Sequence, residues 1–396
     1  MSKRVKLNFV FPVFSLQFLF FFSFHSFAVE NKVDNKDLCI VKFLVIDVGS
    51  STTKSILYTK DTCNSNKTIE KKTLNKNYPY QACLSDTNDN ILPKRCIEEG
   101  AKAISAIKDH FELDCETNSQ CKAIATGWAR NTENIHEWLD EVKKIKVDPI
   151  VATQNHEGEM KLHAMKNTLD IPDGAFIAFD IGGASFQLSW INDKGEVQHY
   201  NGQYGTDNFT HDLQAKFLSD EDQKCVHARN NIVLLQNGDK KDKNALQNAL
   251  VQQNSFCSPV SLTTVHPKEL NKVIDYADDV IGGPIKTDAK LQDFIQKHKP
   301  VIYADSLLFS LGIKKQLGFD KNVITIDDVY KIMLSVSGMT YSQVKATYPN
   351  LPDICINTTQ PSMLILYALM QSLKIYEINM VQTDYMEHFV DSHIKK

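Results

Sequence analysis

Two strands in this sequence each end in an aspartate that is followed at once by a glycine turn. Residues 40–47 read IVKFLVID and run into Gly49, while residues 175–180 read AFIAFD and run into Gly182. Short apolar, β-branched runs of this kind predict buried strands. The same layout of strand, Asp, Gly-rich turn and second strand occurs twice, about 133 residues apart. We therefore predict two lobes built on one plan, and mixed α/β is the class that accommodates them.

Both turns have the composition of a phosphate-binding loop. Backbone N–H groups and hydroxyls in a tight turn bind anions, and an aspartate beside them can hold a hydrated cation. A single Asp-x-Gly-Ser sequence also closes ordinary β-turns. Two such turns on facing lobes would bind successive phosphates, while Asp47 and Asp180 bind water around one Mg²⁺. The predicted phosphate ligands are Gly49, Ser50, Ser51, Thr52, Lys54, Gly182, Gly183, Ala184 and Ser185.

Two charged residues between the loops are candidates for the chemistry. Arg130 follows a predicted strand in Ala125-Thr126-Gly127-Trp128-Ala129-Arg130, where it could clamp a phosphate oxygen beside Thr126. It could equally form a surface ion pair with Glu133 or Glu137. Glu157 opens a predicted helix, and a glutamate there could simply cap the helix dipole.

The motifs together resemble those of the exopolyphosphatase/guanosine pentaphosphatase (Ppx/GppA) family. The resemblance rests on Asp47-x-Gly-Ser, Ala125-Thr-x-x-x-Arg130, Glu157, and Asp180-Ile-Gly-Gly-x-Ser185, in the order and spacing of that family. It implies a two-lobed actin-like (RNase H-like) fold with mixed sheets and the active site in the cleft between lobes. It also implies that Glu157 is the general base, that Arg130 offsets charge on the transferred phosphate, and that Mg²⁺ is the cofactor, with Mn²⁺ or Ca²⁺ as substitutes.

Two positions depart from the exopolyphosphatase pattern. Gln187 stands where the family usually has Glu, and Lys54 where it usually has Arg. An amide can orient water but cannot accept its proton. The related ecto-apyrase family, which hydrolyses nucleoside tri- and diphosphates, often has Ala and Gln at the positions of Ala184 and Gln187. Gln187 therefore leaves two alternatives to a polyphosphate or nucleoside tri/pentaphosphate hydrolase open: an apyrase, and a non-catalytic nucleotide- or phosphate-binding protein. An ATP-dependent kinase or activator is a third alternative, because residues 47–54 also resemble the first phosphate loop of dehydratase activators.

The N-terminus is typical of a secretory signal peptide. Lys3, Arg4 and Lys6 precede an apolar stretch from Leu7 to Phe24 that ends at a small-x-small pattern, Ser26-Phe27-Ala28. We expect cleavage after residue 28, with an uncleaved anchor as the alternative. This gives a signal peptide at 1–28, a first lobe at 29–152 and a second lobe at 153–396, which would include a polar insertion at 219–255 and a series of helices. The expected location is secreted or periplasmic, with no membrane attachment after cleavage.

Cysteine usage and charge agree with an exported enzyme of small anionic substrates. All nine cysteines follow the signal, and we expect disulfides Cys83–Cys96, Cys115–Cys121 and Cys225–Cys257 with one thiol left over. Without the first 28 residues the chain has 41 basic and 48 acidic residues, a net charge of −7. This balance disfavours DNA and RNA as partners. The sequence leaves the oligomeric state open, a dimer included.

Overall fold

A computed structural model describes most of the chain beyond residue 38. The described residues are 39–50, 52–64, 67–76, 78, 80–85, 90–115, 120–225, 228, 249–250, 264–305, 322–349, 351 and 353–394. The predicted signal peptide, Ser51, most of the polar insertion and a helix predicted at 306–316 lie outside them.

The first sheet has five strands. They are β1 (Ile40–Val48), β2 (Thr53–Asp61), β3 (Lys67–Lys76), β4 (Cys121–Ala125) and β5 (Asp148–Val151). Their order is β3-β2-β1-β4-β5, in which β1–β3 form an antiparallel meander and β4 and β5 add in parallel. The helices of this part are α1 (Tyr80–Ser85), α2 (Lys94–His110), α3 (Gly127–Arg130) and α4 (Ile135–Lys144).

The second sheet repeats the same connection pattern. Its strands are β6 (Phe176–Ile181), β7 (Phe186–Ile191), β8 (Val197–Gly202), β9 (Val301–Ala304), β10 (Val323–Thr325) and β11 (Glu377–Met380). The order is β8-β7-β6-β9-β11-β10, so a meander is again extended by two parallel strands, with antiparallel β10 at the edge. Its helices are α5 (Gln154–Leu169), α6 (Thr206–Phe217), α7 (Leu270–Ala277), α8 (Gly283–Thr287), α9 (Ala289–His298), α10 (Ile326–Val336), α11 (Tyr341–Thr347), α12 (Asp353–Ile356), α13 (Thr359–Leu373) and α14 (Tyr385–Ile394).

The shared pattern gives the two aspartates equivalent positions. Asp47 is the last residue but one of β1, and Asp180 is the last but one of β6. Each of these strands pairs in parallel with the strand that follows a helical crossover, namely β4 and β9. Since the carboxyl ends of parallel strands share one edge, each sheet presents its aspartate and glycine turn at that edge.

Helices α5 and α14 pack between the two sheets. One face of α5 contacts β6 and β7, and α5 also contacts α14, which in turn lies on β1. Met386, Phe389 and Val390 of α14 share a buried apolar cluster with Val45 and Tyr58 of the first sheet. The last helix of the chain therefore returns to the first sheet, although β11 before it belongs to the second. The domain boundaries at 152 and 153 remain predictions.

Charged side chains fix α14 against β2 and β3. Lys60, 1% exposed, lies 2.5 Å from Asp391 and 3.5 Å from Glu387. The Tyr58 hydroxyl donates to Asp384 at 2.6 Å, and Lys71 also pairs with Asp384 at 3.0 Å. A buried ammonium needs such partners, because desolvation without them is costly. These contacts hold the last helix in one register on the sheet.

The cysteines confirm two predicted pairings and add a third. Cys83–Cys96 and Cys115–Cys121 are disulfides as expected, and Cys39–Cys63, which we did not predict, joins the start of β1 to the end of β2. Cys225 is disulfide-bonded, and its predicted partner Cys257 lies outside the described residues. The thiol of Cys355 is free and buried.

The strands predicted at 40–47 and 175–180 are observed as β1 and β6. Elements that we did not predict include the polar strands β3 and β8, the short strand β9, and the helices α6 and α14. None of the helices within the described ranges has the length and apolar character that a bilayer crossing requires.

We expect Gly100→Ala to destabilise the first lobe. A Cβ at Gly100 would overlap the ring of Tyr80, which is buried, stacked on Trp128 at 4.1 Å and hydrogen-bonded by Trp138 at 3.0 Å. Overpacking of this kind costs about 1–3 kcal/mol, against a gain of about 1 kcal/mol in helix propensity. Urea denaturation should show a lower midpoint for this variant. Lys102→Ala, at an exposed position of the same helix, should stay within about 0.5 kcal/mol of wild type. Equal midpoints for both would contradict the tight packing.

Candidate active site

Arg130 joins Glu157 to the second predicted phosphate loop. The guanidinium forms an ion pair with Glu157 through Nη1 and donates from Nη2 to the Ser185 hydroxyl at 2.6 Å. Nη1 also donates to the Ala152 carbonyl at 3.2 Å. Arg130 comes from α3 in the first lobe, whereas Ser185 belongs to the second loop. The surface pairing with Glu133 or Glu137 is therefore not the one observed.

Glu157 lies in the first turn of α5, but another residue caps this helix. Thr153 is the N-cap, and its hydroxyl accepts a hydrogen bond from the His156 N–H at 3.2 Å. Burial raises the pKa of Glu157 to about 7, with Arg130 lowering it and Asp180 and Asp47 raising it. A carboxylate with a pKa near neutrality can both accept and release a proton at physiological pH.

The two loops contact each other across the cleft. A Cβ built on Gly183 would lie 2.8 Å from the Cβ of Ser50, and one built on Gly127 would lie 2.7 Å from the Cβ of Ala184. A side chain at Gly183 would overlap Ser50 of the first loop and Asp207 of α6, and one at Gly127 of α3 would overlap Ala184 of the second loop. The first loop is a tight turn in which the Gly49 N–H donates to the Thr52 carbonyl at 2.9 Å. The two loops thus lie side by side.

The N-terminus of α6 donates hydrogen bonds to the backbone of the second loop. The N–H groups of Thr206 and Asp207 donate to the carbonyls of Gly182 and Gly183 at 2.9 and 2.7 Å. The Asn208 amide donates to the Ala184 carbonyl at 2.9 Å and to Gln203 at 3.1 Å. Because these carbonyl oxygens accept bonds from α6, the loop backbone is fixed in one conformation.

Gln187 and Arg130 both donate hydrogen bonds to the hydroxyl of Ser185. It is buried on β7 opposite Asp180, and its Nε2 donates to the Ser185 hydroxyl at 3.2 Å. The hydroxyl of Ser185 therefore lies between an amide and a guanidinium. In this arrangement Gln187 orients Ser185.

Asp47 receives a hydrogen bond from the last helix. The hydroxyl of Tyr385, at the start of α14, donates to Asp47 Oδ2. Burial, together with Asp47, raises the pKa of this tyrosine well above its ordinary value, so the hydroxyl keeps its proton. Lys54 pairs with Asp47 in the β1–β2 register, and burial lowers its pKa while Asp47 opposes that effect.

Lys161, Asp305 and Tyr385 belong to the site, and our sequence analysis missed all three. The Lys161 ammonium lies 3.4 Å from Asp180 Oδ1 and 3.5 Å from Asp305 Oδ2, with the ring of Tyr385 3.9 Å away. Two sequence signals could have predicted Lys161 and Asp305. Lys161 is four residues after Glu157 and so lies on the same face of the helix. Asp305 directly follows the short apolar strand β9, just as Asp47 and Asp180 lie at the ends of β1 and β6.

The structure brings most of the predicted residues to one cleft. Contacts or electrostatic coupling connect Asp47, Lys54, Arg130, Glu157, Asp180, Ser185 and Gln187. Ser50, Gly183 and Ala184 meet there as well, and the N–H of Thr126 donates to the Val48 carbonyl next to Asp47. Gly49, Thr52 and Gly182 form the turns themselves, and Ser51 lies outside the described residues. The chemical roles of these residues remain predictions.

The donors at this site are suited to a hard cation held through water. Asp47 and Asp180 offer carboxylate oxygens, the ligand type that Mg²⁺ prefers. In the described part of the chain, only Cys39, Asp61 and Cys63 bring three metal-binding side chains within 4.8 Å of one another, and those two cysteines form a disulfide. Among the described residues, no three carboxylates of the cleft bring their oxygens within 4.8 Å of one another.

Comparisons with known proteins identify the family and the fold of this chain. A sequence profile of the Ppx/GppA phosphatase family matches residues 81–310, more than half of the chain. A Ppx/GppA family member from Aquifex aeolicus is similar in structure, with 14% identity, a TM-score of 0.58 and coverage of 90% of this chain and 98% of that one. An exopolyphosphatase from Cytophaga hutchinsonii is also similar in structure, with 13% identity, a TM-score of 0.58 and coverage of 89% of this chain and 98% of that one.

No curated protein sequence matches this chain. The structural similarities confirm the two-lobed actin-like α/β fold with two mixed sheets. On the extent of the profile match, the chain belongs to the Ppx/GppA phosphatase family.

Proposed function

We propose that this protein is a secreted, Mg²⁺-dependent enzyme that removes the terminal phosphate from polyphosphate or from nucleoside tri- and pentaphosphates. Family membership makes it a hydrolase of phosphoric anhydrides. The observation that carries the finer proposal is the contact of Arg130 with both Glu157 and Ser185. This contact joins Glu157, the candidate base, to Ser185, a candidate phosphate ligand in the second loop.

Glu157 is the proposed general base. Its carboxylate takes a proton from a water molecule as the water oxygen attacks the terminal phosphorus. The bond from that phosphorus to the bridging oxygen then breaks, which releases inorganic phosphate and a chain shortened by one phosphate. The raised pKa of Glu157 supports this role, because a base is most effective when its pKa is close to the working pH.

Arg130 has two partners that a phosphate would compete with. In the structure the guanidinium bonds to Glu157 and Ser185. A terminal phosphate between the loops would offer oxygens in the same fork geometry that Arg prefers. We infer that substrate takes over part of the guanidinium and leaves Glu157 free to bind water. The loops then supply positioning and charge stabilisation, which account for most of the acceleration in phosphoryl transfer.

Asp47 and Asp180 are the proposed holders of the metal through its water shell. Mg²⁺ bound there would neutralise charge on the bridging and terminal phosphate oxygens. Tyr385 orients the Asp47 carboxylate by its hydrogen bond, and Lys161 contacts Oδ1 of Asp180. The second oxygen, Oδ2 of Asp180, is the one that we assign to a metal-bound water.

Secretion is supported by two independent features. The basic and apolar N-terminal segment has the form of a signal peptide. Three disulfides in the first lobe are typical of a protein that folds in an oxidising compartment.

The first test is phosphate release by the protein without residues 1–28, offered polyphosphate, ATP, GTP and guanosine pentaphosphate in separate reactions with Mg²⁺. We expect release, and we expect Glu157→Gln to reduce kcat by about 10²–10⁴ because the amide cannot accept a proton. Glu159→Gln is the matched control, since Glu159 is half-exposed on the same helix. It should retain wild-type activity.

The ranking of substrates decides between polyphosphate and nucleotides. Preference for nucleoside tri- and diphosphates over polyphosphate would support the apyrase alternative. Absence of release from every substrate, with folding intact and thermal stabilisation by nucleotide and Mg²⁺, would overturn the hydrolase proposal in favour of a binding protein.

The pH dependence should show the raised pKa of Glu157. The base works in its ionised form, so kcat/KM should fall as pH falls through the pKa of this group. Burial raises that pKa from 4.5 to about 7, and a bound cation lowers it. We therefore expect an acid limb with a midpoint above 4.5 and no higher than about 7, measured at saturating Mg²⁺. Activity that stays level from pH 7 down to pH 4.5 would show that Glu157 is not the base.

A further inference from the structure

The buried ammonium of Lys161 lies where two carboxylates would otherwise attract a metal ion. Asp180 and Asp305 come from the carboxyl ends of β6 and β9, which are neighbours in the second sheet. Lys161 Nζ is 3.4 Å from one and 3.5 Å from the other, and all three side chains are at most 15% exposed. Two carboxylates that face one buried point are a typical arrangement for binding a cation.

Several groups fix this ammonium in place. The Tyr385 ring lies 3.9 Å from Nζ, close enough for a cation–π contact. Thr383 donates to the same oxygen of Asp305, and Tyr385 donates to Asp47. The ammonium of Lys161 thus lies between two carboxylates of the second sheet and the ring of Tyr385, whose hydroxyl reaches Asp47 of the first sheet.

The charges of the cleft show what this cation changes. Four carboxylates line the cleft, those of Asp47, Glu157, Asp180 and Asp305, and they face three cationic side chains, those of Lys54, Arg130 and Lys161. With Lys161 present, the four carboxylates exceed the three cations by one negative charge. Without it the excess is two, and the Asp180–Asp305 pair has no cation between its oxygens.

We propose that Lys161 is a positioning residue that occupies a cation site formed by Asp180 and Asp305, and so limits the number of divalent ions that the active site binds. The ammonium of Lys161 neutralises charge on the two carboxylates, as a second metal ion between them would. It also occupies the position beside Asp180 Oδ1, so that this oxygen does not bind the metal. The inference rests on the proposed metal-dependent function for its biological meaning. Its test counts ions without substrate and does not depend on turnover.

The experiment measures Mn²⁺ bound per protein molecule, from the EPR signal of free Mn²⁺ in a titration of the protein without residues 1–28. We expect Lys161→Met to bind one ion more than wild type, and the double variant Lys161→Met/Asp305→Asn to lose that additional ion. Lys161→Arg should bind the wild-type number because the cation is restored. Lys166→Met, at a half-buried position of the same helix where the lysine pairs with Asp173 at 2.5 Å, is the matched control and should also bind the wild-type number.

Asp305→Asn tests the proposal in a protein that keeps Lys161. If the ammonium occupies the site, this variant binds the same number of Mn²⁺ ions as wild type. Loss of an ion from Asp305→Asn would show that a metal, not Lys161, lies between the carboxylates, and would overturn the proposal. The same conclusion follows if folded Lys161→Met binds no additional ion. Should Lys161→Met not fold, Asp305→Asn and Lys161→Arg still decide. A failed hydrolysis assay with these ion counts as expected would overturn the proposed function alone.

Discussion

The repulsion among four carboxylates in one cleft is the constraint on which the rest of this structure depends. Asp47, Asp180 and Asp305 lie at strand ends, and Glu157 opens a helix above them. Groups this close cannot all remain ionised in a buried site unless cations accompany them. Lys54 on β2, Arg130 on α3 and Lys161 on α5 provide those cations, each from a different element. The carboxylates of the two sheets are thus accompanied by cations from three separate elements.

The duplicated sheet explains why this arrangement is available to one chain. A meander extended by parallel strands places an aspartate and a glycine turn at the same edge each time. Where the lobes meet, Gly183 of the second loop lies against Ser50 of the first, and Gly127 of α3 lies against Ala184 of the second loop. Glycine is required at both positions by close contact and not by backbone conformation. A polyphosphate held between them would contact both lobes at once.

Sequence reasoning found the parts of this site that have a local signature. The strand–Asp–Gly pattern gave Asp47 and Asp180, and a helix start gave Glu157, because each signal lies within a few adjacent residues. The pairing of Arg130 with Glu157 was not predictable, since it depends on how two lobes meet. Tyr385 has no local signal at all, because this tyrosine of α14 reaches Asp47 only through the return of that helix to β1. Disulfides followed the same rule, in that the two short-range pairs Cys83–Cys96 and Cys115–Cys121 were predicted while Cys39–Cys63 was not.

The hydrogen bond from Tyr385 to Asp47 spans 338 positions of the sequence. Contacts of such separation form late, because nearly the whole chain must be organised before the two residues meet. A growing chain can build both glycine turns and still lack the hydroxyl that orients its first aspartate. The two turns form from neighbouring residues, whereas the bond from Tyr385 to Asp47 requires α14 to be packed on β1.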